Sequence, residues 1–488
     1  MTRTFNFKIV WFTLGALLVL EAVFMLLSSG VAFLYEESDA LPILYAALIT
    51  MGFAGLGILL GRKTEKRLGK REGYIIVALV WIVFSLFGML PFYLSGTIPT
   101  ITDAFFETMS GFTTTGSSIL TDVETLSHGL HFWRSLTHWL GGMGIIVLSL
   151  AILPFFGIGG MSLYTAEATG ATYEKLRPKI RDTAKLLWGI YVLLTAVEAL
   201  CLSLLGMDVF EAICHSFSTL ATGGYSTRNA GMAAFSPAIQ YVVTIFMFLA
   251  GINFSMLYFL FKGKFNRLKE DEELHWYVGA VVVLTVVMTL ALLFLDKSYP
   301  SNDVEKAFRD SVFVVVTLMT TTGFSGVDYT LWHPLLLCIA IFLLFTGASA
   351  GSTAGGMKWS RLAFMFKNVR CEFMRLIHPN AIIPVRMNGK VVNSSVANGI
   401  VAFLFVYMVT VLLGTIVFTF FGLPLSEAFG AAATSIGNVG PGLGLSGPAG
   451  NFALMPVPVK WIMSFFMLLG RLELFTVLLI FTPSFWGK

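Results

Sequence analysis

The sequence predicts an all-α polytopic membrane protein. Ten transmembrane helices are expected: two at the N-terminus, then four span–pore helix–span repeats around one central pore. Three observations carry this reading. Of 488 residues, 56% are hydrophobic and only 12% charged, whereas a soluble domain keeps roughly a quarter of its residues charged. Ten apolar stretches reach the length of about 20 residues that crosses a bilayer. Four shorter apolar segments, each closed by a glycine, recur between them. The same composition excludes disorder, collagen and a secreted disulfide scaffold. The four cysteines, Cys201, Cys214, Cys338 and Cys371, lie far apart without a CxxC pair and behave as small hydrophobes. No small-residue cleavage site follows the N-terminus, so a cleaved signal peptide is not expected.

The spans are expected over 9–33, 42–60, 73–95, 132–156, 184–206, 238–261, 275–295, 333–357, 395–422 and 458–482. An even number puts both termini on one side. Of the 32 Lys and Arg residues, 25 fall in the N-terminus (Arg3, Lys8), 61–72, 174–185, 262–275, 358–390 and Lys488. In a ten-span chain all these places share one face, and the positive-inside rule makes that face cytoplasmic.

The four shorter segments are TDAFFETMSGFTTTG (102–116), FEAICHSFSTLATG (210–223), FRDSVFVVVTLMTTTG (308–323) and LSEAFGAAATSIG (425–437). They are led by Asp103, Glu211, Asp310 and Glu427 and stop at Gly116, Gly223, Gly323 and Gly437. The repeat of about 110 residues divides the chain into a two-helix extension (1–70) and units at 71–175, 176–270, 271–390 and 391–488. A helix too short to cross must dip in and return, and its return is tolerated only where protein or a water-filled cavity covers it. Each short helix then points its negative C-terminal end at the centre. The tails Thr114-Thr115-Gly116, Ala221-Thr222-Gly223, Thr321-Thr322-Gly323 and Ser435-Ile436-Gly437-Asn438 can turn carbonyls inward, with glycine supplying left-handed dihedrals. A carbonyl ring replaces the water of a monovalent cation. No carboxylate lies in these tails, which disfavours a divalent ion.

This arrangement resembles the Trk/Ktr/HKT superfamily of potassium transporters. The two leading spans and the terminal GRLELFTVLLIF stretch resemble its TrkH/TrkG branch over essentially the whole chain. The resemblance implies a potassium-uptake subunit, dimeric in the bacterial inner membrane and gated by a cytosolic TrkA-type nucleotide-binding ring. It also implies potassium selectivity, since glycine stands at all four expected filter positions. The fourth unit departs from TTG, so the filter is not expected to be four-fold symmetric in chemistry.

The stretch from Gly347 through Ala348, Ser349, Ala350, Gly351, Ser352, Thr353 and Ala354 to Gly355 and Gly356 contains only small residues. Tight helix packing is one reading; the resemblance implies an intramembrane gating loop, continued into the cytoplasm by Lys358 and Arg361. Arg471 falls near the centre of the last span, too deep to snorkel, and is a functional candidate by its position. A structural ion pair with Glu198 or another buried acid is the alternative. Glu473 faces elsewhere on a helix, and Glu21 reads as an interhelical contact. The seven histidines, among them His128, His131 and His138, form no ligand cluster.

No catalytic grouping or Walker motif is present, so the chain is not expected to be an enzyme. Potassium is the expected transported ion with no bound cofactor, and membrane lipid the surroundings. Any nucleotide site belongs to a partner, and nucleic acid has no support. The competing class is a secondary transporter with broken helices and a midplane site, which calls for inverted repeats; the units here all start from the cytoplasmic face.

Overall fold

Backbone N–H and C=O groups cannot be left unpaired in hydrocarbon, so the long apolar runs fold as helices. The structure, a computed structural model, describes residues 5–62, 69–144, 180–296, 299 and 303–486. Among the described residues, six helices are long and apolar enough to cross a membrane: Phe7–Leu34, Ala40–Gly61, Arg71–Leu94, Thr183–Leu204, Glu272–Leu295 and Ser394–Phe420.

Four expected spans differ from simple rods. Pro237–Ala250 turns by 107° into Phe254–Phe261, and Val457–Arg471 turns by 108° into Phe475–Phe481. Unbroken helices over 238–261 and 458–482 are thereby corrected. The first break is fixed by Asn253, whose side chain accepts from Ser255 N to start the next helix. The second falls at Glu473 and Leu474, with φ of 53° and 49°. The expected span 333–357 becomes the 12-residue helix Pro334–Phe345 followed by a loop. In 132–156, the helix His128–Trp139 runs into a widened turn at Leu140–Gly144, and the rest lies outside the described residues. So do Arg3, residues 63–68 and 174–179 of the basic stretches, and Lys488.

Two apolar cores flank the centre. One unites the first two spans with the first and fourth short helices. The other unites the second and third short helices and their neighbours, and Trp139 and Phe429 pack against both. The hairpin Arg386–Met387/Lys390–Val391 is the one strand pair among the described residues. Its turn is Asn388-Gly389 at φ 48° and 73°, the pair that favours tight hairpins.

The first two spans approach through glycine, as helices do where lipid offers no hydrophobic driving force. An added Cβ on Gly15 would sit 2.7 Å from Ala54 O, and one on Gly57 3.0 Å from Trp11 O. Gly30, on the same first helix, has open space around it. Gly15→Val should therefore destabilise the purified protein by about 1–3 kcal/mol through overpacking. Gly30→Val should lower the thermal midpoint far less; equal losses would show that this crossing is not close-packed.

A closed ring of four turns and the loop beneath it

Four short helices converge from different parts of the chain: Ile101–Phe112, Val209–Leu220, Val304–Met319 and Leu425–Gly437. At 12 to 16 residues they are too short to span a hydrocarbon core about 30 Å thick. The first three are capped by Thr100, Asp208 and Asp303, whose side chains accept from backbone N–H groups of the first turn. The first-turn acids are Asp103, Glu211, Glu305 and Glu427. Asp310 is thus not the leading acid of the third helix, which starts earlier than expected. It lies deeper, buried, and accepts from Tyr299 OH at 2.6 Å.

All four helices end alike. Thr114, Thr222, Thr321 and Asn438 take left-handed backbone angles, with φ of 54°, 55°, 55° and 52°. The next residue closes the helix by a bond to the carbonyl five positions back: Thr115 N to Ser110 O (2.9 Å), Gly223 N to Ser218 O (2.8 Å), Thr322 N to Thr317 O (2.9 Å) and Val439 N to Thr434 O (3.1 Å). That closure normally uses glycine or asparagine. Threonine there is strained, because a branched Cβ crowds the backbone at positive φ. Such strain persists only where surrounding structure enforces it.

One residue further, Gly116, Gly224, Gly323 and Gly440 have φ of 81°, 78°, 73° and 104°. This corrects the register in two units. The left-handed glycine is Gly224 where Gly223 was expected, and Gly440 where Gly437 was expected. Ala221 caps the second helix, while Ser435, Ile436 and Gly437 are the last residues of the fourth. The fourth helix is capped directly by Asn438, whose short polar side chain tolerates the left-handed region.

The four turns meet in a ring. A Cβ on Gly116 would lie 2.0 Å from Gly223 O, on Gly224 2.1 Å from Thr322 O, on Gly323 1.9 Å from Val439 O, and on Gly440 2.7 Å from Thr115 O. Each unit leans on the equivalent carbonyl of the next, and the fourth leans on the first. Four tails thus enclose one axis, and no side chain fits at any of the four junctions.

Beneath the ring lies the segment Thr346–Lys358. Its stem is joined by Gly347 N to Met357 O (2.7 Å) and by Met357 N to Phe345 O (3.0 Å). Gly351 (φ 75°) is its exposed tip. There Phe254 N donates to Gly351 O and Ser349 N to Gly251 O, while Ser352 Oγ donates to Ser349 O. Glu273 accepts from Ala350 N and Ser360 N at 2.7 and 3.0 Å. The returning strand touches three units. Thr353 Oγ1 donates to Leu220 O (3.0 Å), Gly355 N donates to Thr321 Oγ1 (2.7 Å), and a Cβ on Gly355 would meet Gly437 O at 2.4 Å. Gly356 turns at φ 62°. Lys358 is buried, with Nζ donating to Ala354 O and Gly355 O. The helix Trp359–Ile377 follows directly.

Arg471 joins ring and loop. Its Nη1 donates to Thr114 Oγ1 (3.0 Å) and Thr353 O (2.8 Å), and its Nη2 to Gly141 O and Gly142 O. Glu198 is fully buried and its carboxylate accepts no hydrogen bond, so it does not pair with Arg471. Glu473 pairs with Arg361, and Glu21 is buried against Gly88. Among the described residues, no group of His, Cys, Asp and Glu could hold a metal ion.

The profile of the TrkH family, described as cation transport protein, matches residues 43–488. The chain belongs to the TrkH family. It is 37% identical over 488 residues to the Trk system potassium uptake protein TrkH of Escherichia coli K12, covering 99% of this chain and all of that one. To the Trk system potassium uptake protein TrkG of the same organism it is 31% identical, covering 99% of both chains. The crystal structure of the potassium transporter TrkH from Vibrio parahaemolyticus superposes with a TM-score of 0.88 at 34% identity, covering 99% of this chain and all of that one.

Within this TrkH-family chain, Val439, Gly224 and Gly440 escaped the sequence reading. The tails ATGG and SIGNVGPG each contain a later glycine, which counting from the helix start would have raised. Gly224→Ala puts a Cβ 2.1 Å from a backbone oxygen at a positive φ, whereas Gly437 is helical and its nearest neighbour would be Leu344 O at 2.8 Å. Discrimination between potassium and sodium in flux assays should thus collapse in Gly224→Ala and fall less in Gly437→Ala. The reverse order would return the register to the earlier alignment.

Proposed function

We propose that this chain is the membrane subunit of a bacterial potassium uptake system and carries K+ through a selectivity filter formed by the four tails. One observation supports this most. The closed ring brings the four equivalent carbonyl-bearing residues Thr115, Gly223, Thr322 and Val439 round one axis. Carbonyl oxygens replace the hydration shell of a monovalent cation, and the helix ends behind them add partial negative charge. Asn438 makes one quadrant unlike the rest: its Nδ2 donates to Thr115 Oγ1 and Met467 O, both at 2.9 Å.

The segment 347–356 acts as the gate. It crosses beneath the ring and is bonded to residues of the second, third and fourth units, and gates are drawn from marginally stable parts of a fold. Arg471 holds it shut, fastening Thr353 O to Thr114 while setting a positive charge on the ion's path. That charge opposes a cation by about 4 kcal/mol at 4 Å if the effective dielectric is near 20. Lys358 and the helix that follows link the gate to the cytoplasm, where a TrkA-type nucleotide-binding ring acts on it. The working unit is a homodimer in the inner membrane, with both termini cytoplasmic and K+ the only ion required.

The competing reading is a secondary transporter, and the two broken second helices among the described residues are a feature it shares. Units that all run in the same sense favour the pore. Purified protein in liposomes, loaded with rubidium or potassium and tested with and without proton and sodium gradients, separates the two. Flux that follows the potassium gradient alone supports the pore; an obligatory coupling ion overturns it. Arg471→Ala should raise the flux several-fold without the partner, since it removes both the fastening and the charge. Deleting 348–354 should give flux that ignores the partner and its nucleotide. Wild-type flux and response after the deletion would remove the gate assignment.

A further inference from the structure

Behind the ring, the four tails are supported by unlike chemistry. The first rests on a buried carboxylate. Glu107, in the short helix Ile101–Phe112, is 1% exposed. Its Oε1 accepts from Arg134 Nε at 2.8 Å, and its Oε2 accepts from Ile119 N at 2.9 Å. Ser118 Oγ lies 3.0 and 3.1 Å from the two oxygens. Ser118 and Ile119 are the outward continuation of the tail, immediately beyond Gly116 and Ser117. Ser118 O is held separately by Phe452 N.

The support extends sideways. Arg134, 3% exposed, lies 3.5 Å over the Tyr225 ring and donates from Nη1 to Ser226 O at 3.2 Å. Tyr225 OH donates to Glu107 O at 2.8 Å. His138 stacks on the Tyr225 ring at 3.9 Å, and its Nδ1 stands where a Cβ on Gly223 would come within 2.4 Å. One network therefore runs from Glu107 to the backs of the first and second tails.

Counting from the left-handed residue places Glu107 level with His215, Val314 and Ala431, and Ser118 level with Ser226, Ser325 and Gly442. In the second unit His215 Nε2 lies 3.0 Å from Ser226 Oγ. In the third and fourth units the residues level with Glu107, Val314 and Ala431, are apolar. A carboxylate thus supports one tail of four, with the apolar supports in the opposite third unit and the adjoining fourth.

We propose that Glu107 is a positioning residue for ion selectivity: by holding Ser118 and Ile119, and the second tail through Arg134 and Tyr225, it fixes the width of the ring. This rests on the reading of the ring as the filter. A carboxylate can accept from Arg134, Ser118 and Ile119 together, and a neutral isostere cannot, because its amide nitrogen only donates. Charge-assisted bonds of this kind are about twice as strong as neutral ones. The first tail therefore relaxes when Glu107 loses its charge.

The test is competition of sodium against potassium uptake in liposomes. Glu107→Gln alone leaves Arg134 buried and unpaired, so the deciding variant is Glu107→Gln with Arg134→Gln, which removes both charges. Its preference for potassium should fall by about tenfold, the ratio set by one lost charge-assisted bond. Ser118→Ala, which keeps both charges, should lower the preference in the same direction and decides the question if the double variant does not fold. Unchanged preference in folded variants, with preference lost in Gly323→Ser, overturns the role of Glu107 and leaves the filter standing. If Gly323→Ser also keeps the wild-type preference, the filter reading itself fails.

Discussion

The helix-closing turn at Thr114, Thr222, Thr321 and Asn438 is the constraint on which the rest depends. A helix that ends with its last carbonyls unpaired inside a membrane is costly, and the bond from the following residue back to the fifth carbonyl satisfies part of that need. The turn also reverses the chain, so the next residues leave as an extended tail. Without it there is no return path, and the four short helices could not bring their tails to one axis. The left-handed conformation is unfavourable for threonine, and burial among four neighbouring units is what holds it there.

Regularity of backbone is combined with irregularity of side chains. The four turns repeat their φ values within a few degrees, while the groups behind them run from the Glu107–Arg134 pair to plain alanine. In the first and third units, Thr113 and Thr320 hydroxyls reach across to Thr115 and Thr322 at 2.8 and 2.7 Å. The second and fourth lack this brace and present Gly223 and Val439 at the same place. Below the ring the asymmetry is greater still, since among the described residues only the third unit carries the long small-residue loop. A near-symmetric ring thus sits above a one-sided loop.

Much of this was legible in the sequence, and what was not has physical reasons. The long spans were legible because apolar length alone decides them, and the four short helices because each is followed by glycine. The register failed at Gly223 and Gly437 because the residue making the turn is threonine or asparagine, and threonine gives no warning that it will adopt positive φ. The break after Arg471 was hidden because Glu473 and Leu474 form helices readily; Glu473 is drawn off by Arg361, which lies 112 residues away. Glu107 was passed over inside an apolar helix, its partner on another element. Arg471 was found because a lone charge deep in a span needs no partner to be noticed, but its contacts, mostly carbonyl oxygens, leave no trace in composition.

The ring has no free end. Each glycine abuts its neighbour's carbonyl, as each stone in a circular arch bears on the next, and a wedge at one joint is felt at all four. Aperture width is then a property of the whole circle, and no single unit owns it. Chemical variety is confined to the outer side, where supports can differ without entering the joints. The loop below is anchored differently, by hydrogen bonds at its stem, its tip and its returning strand.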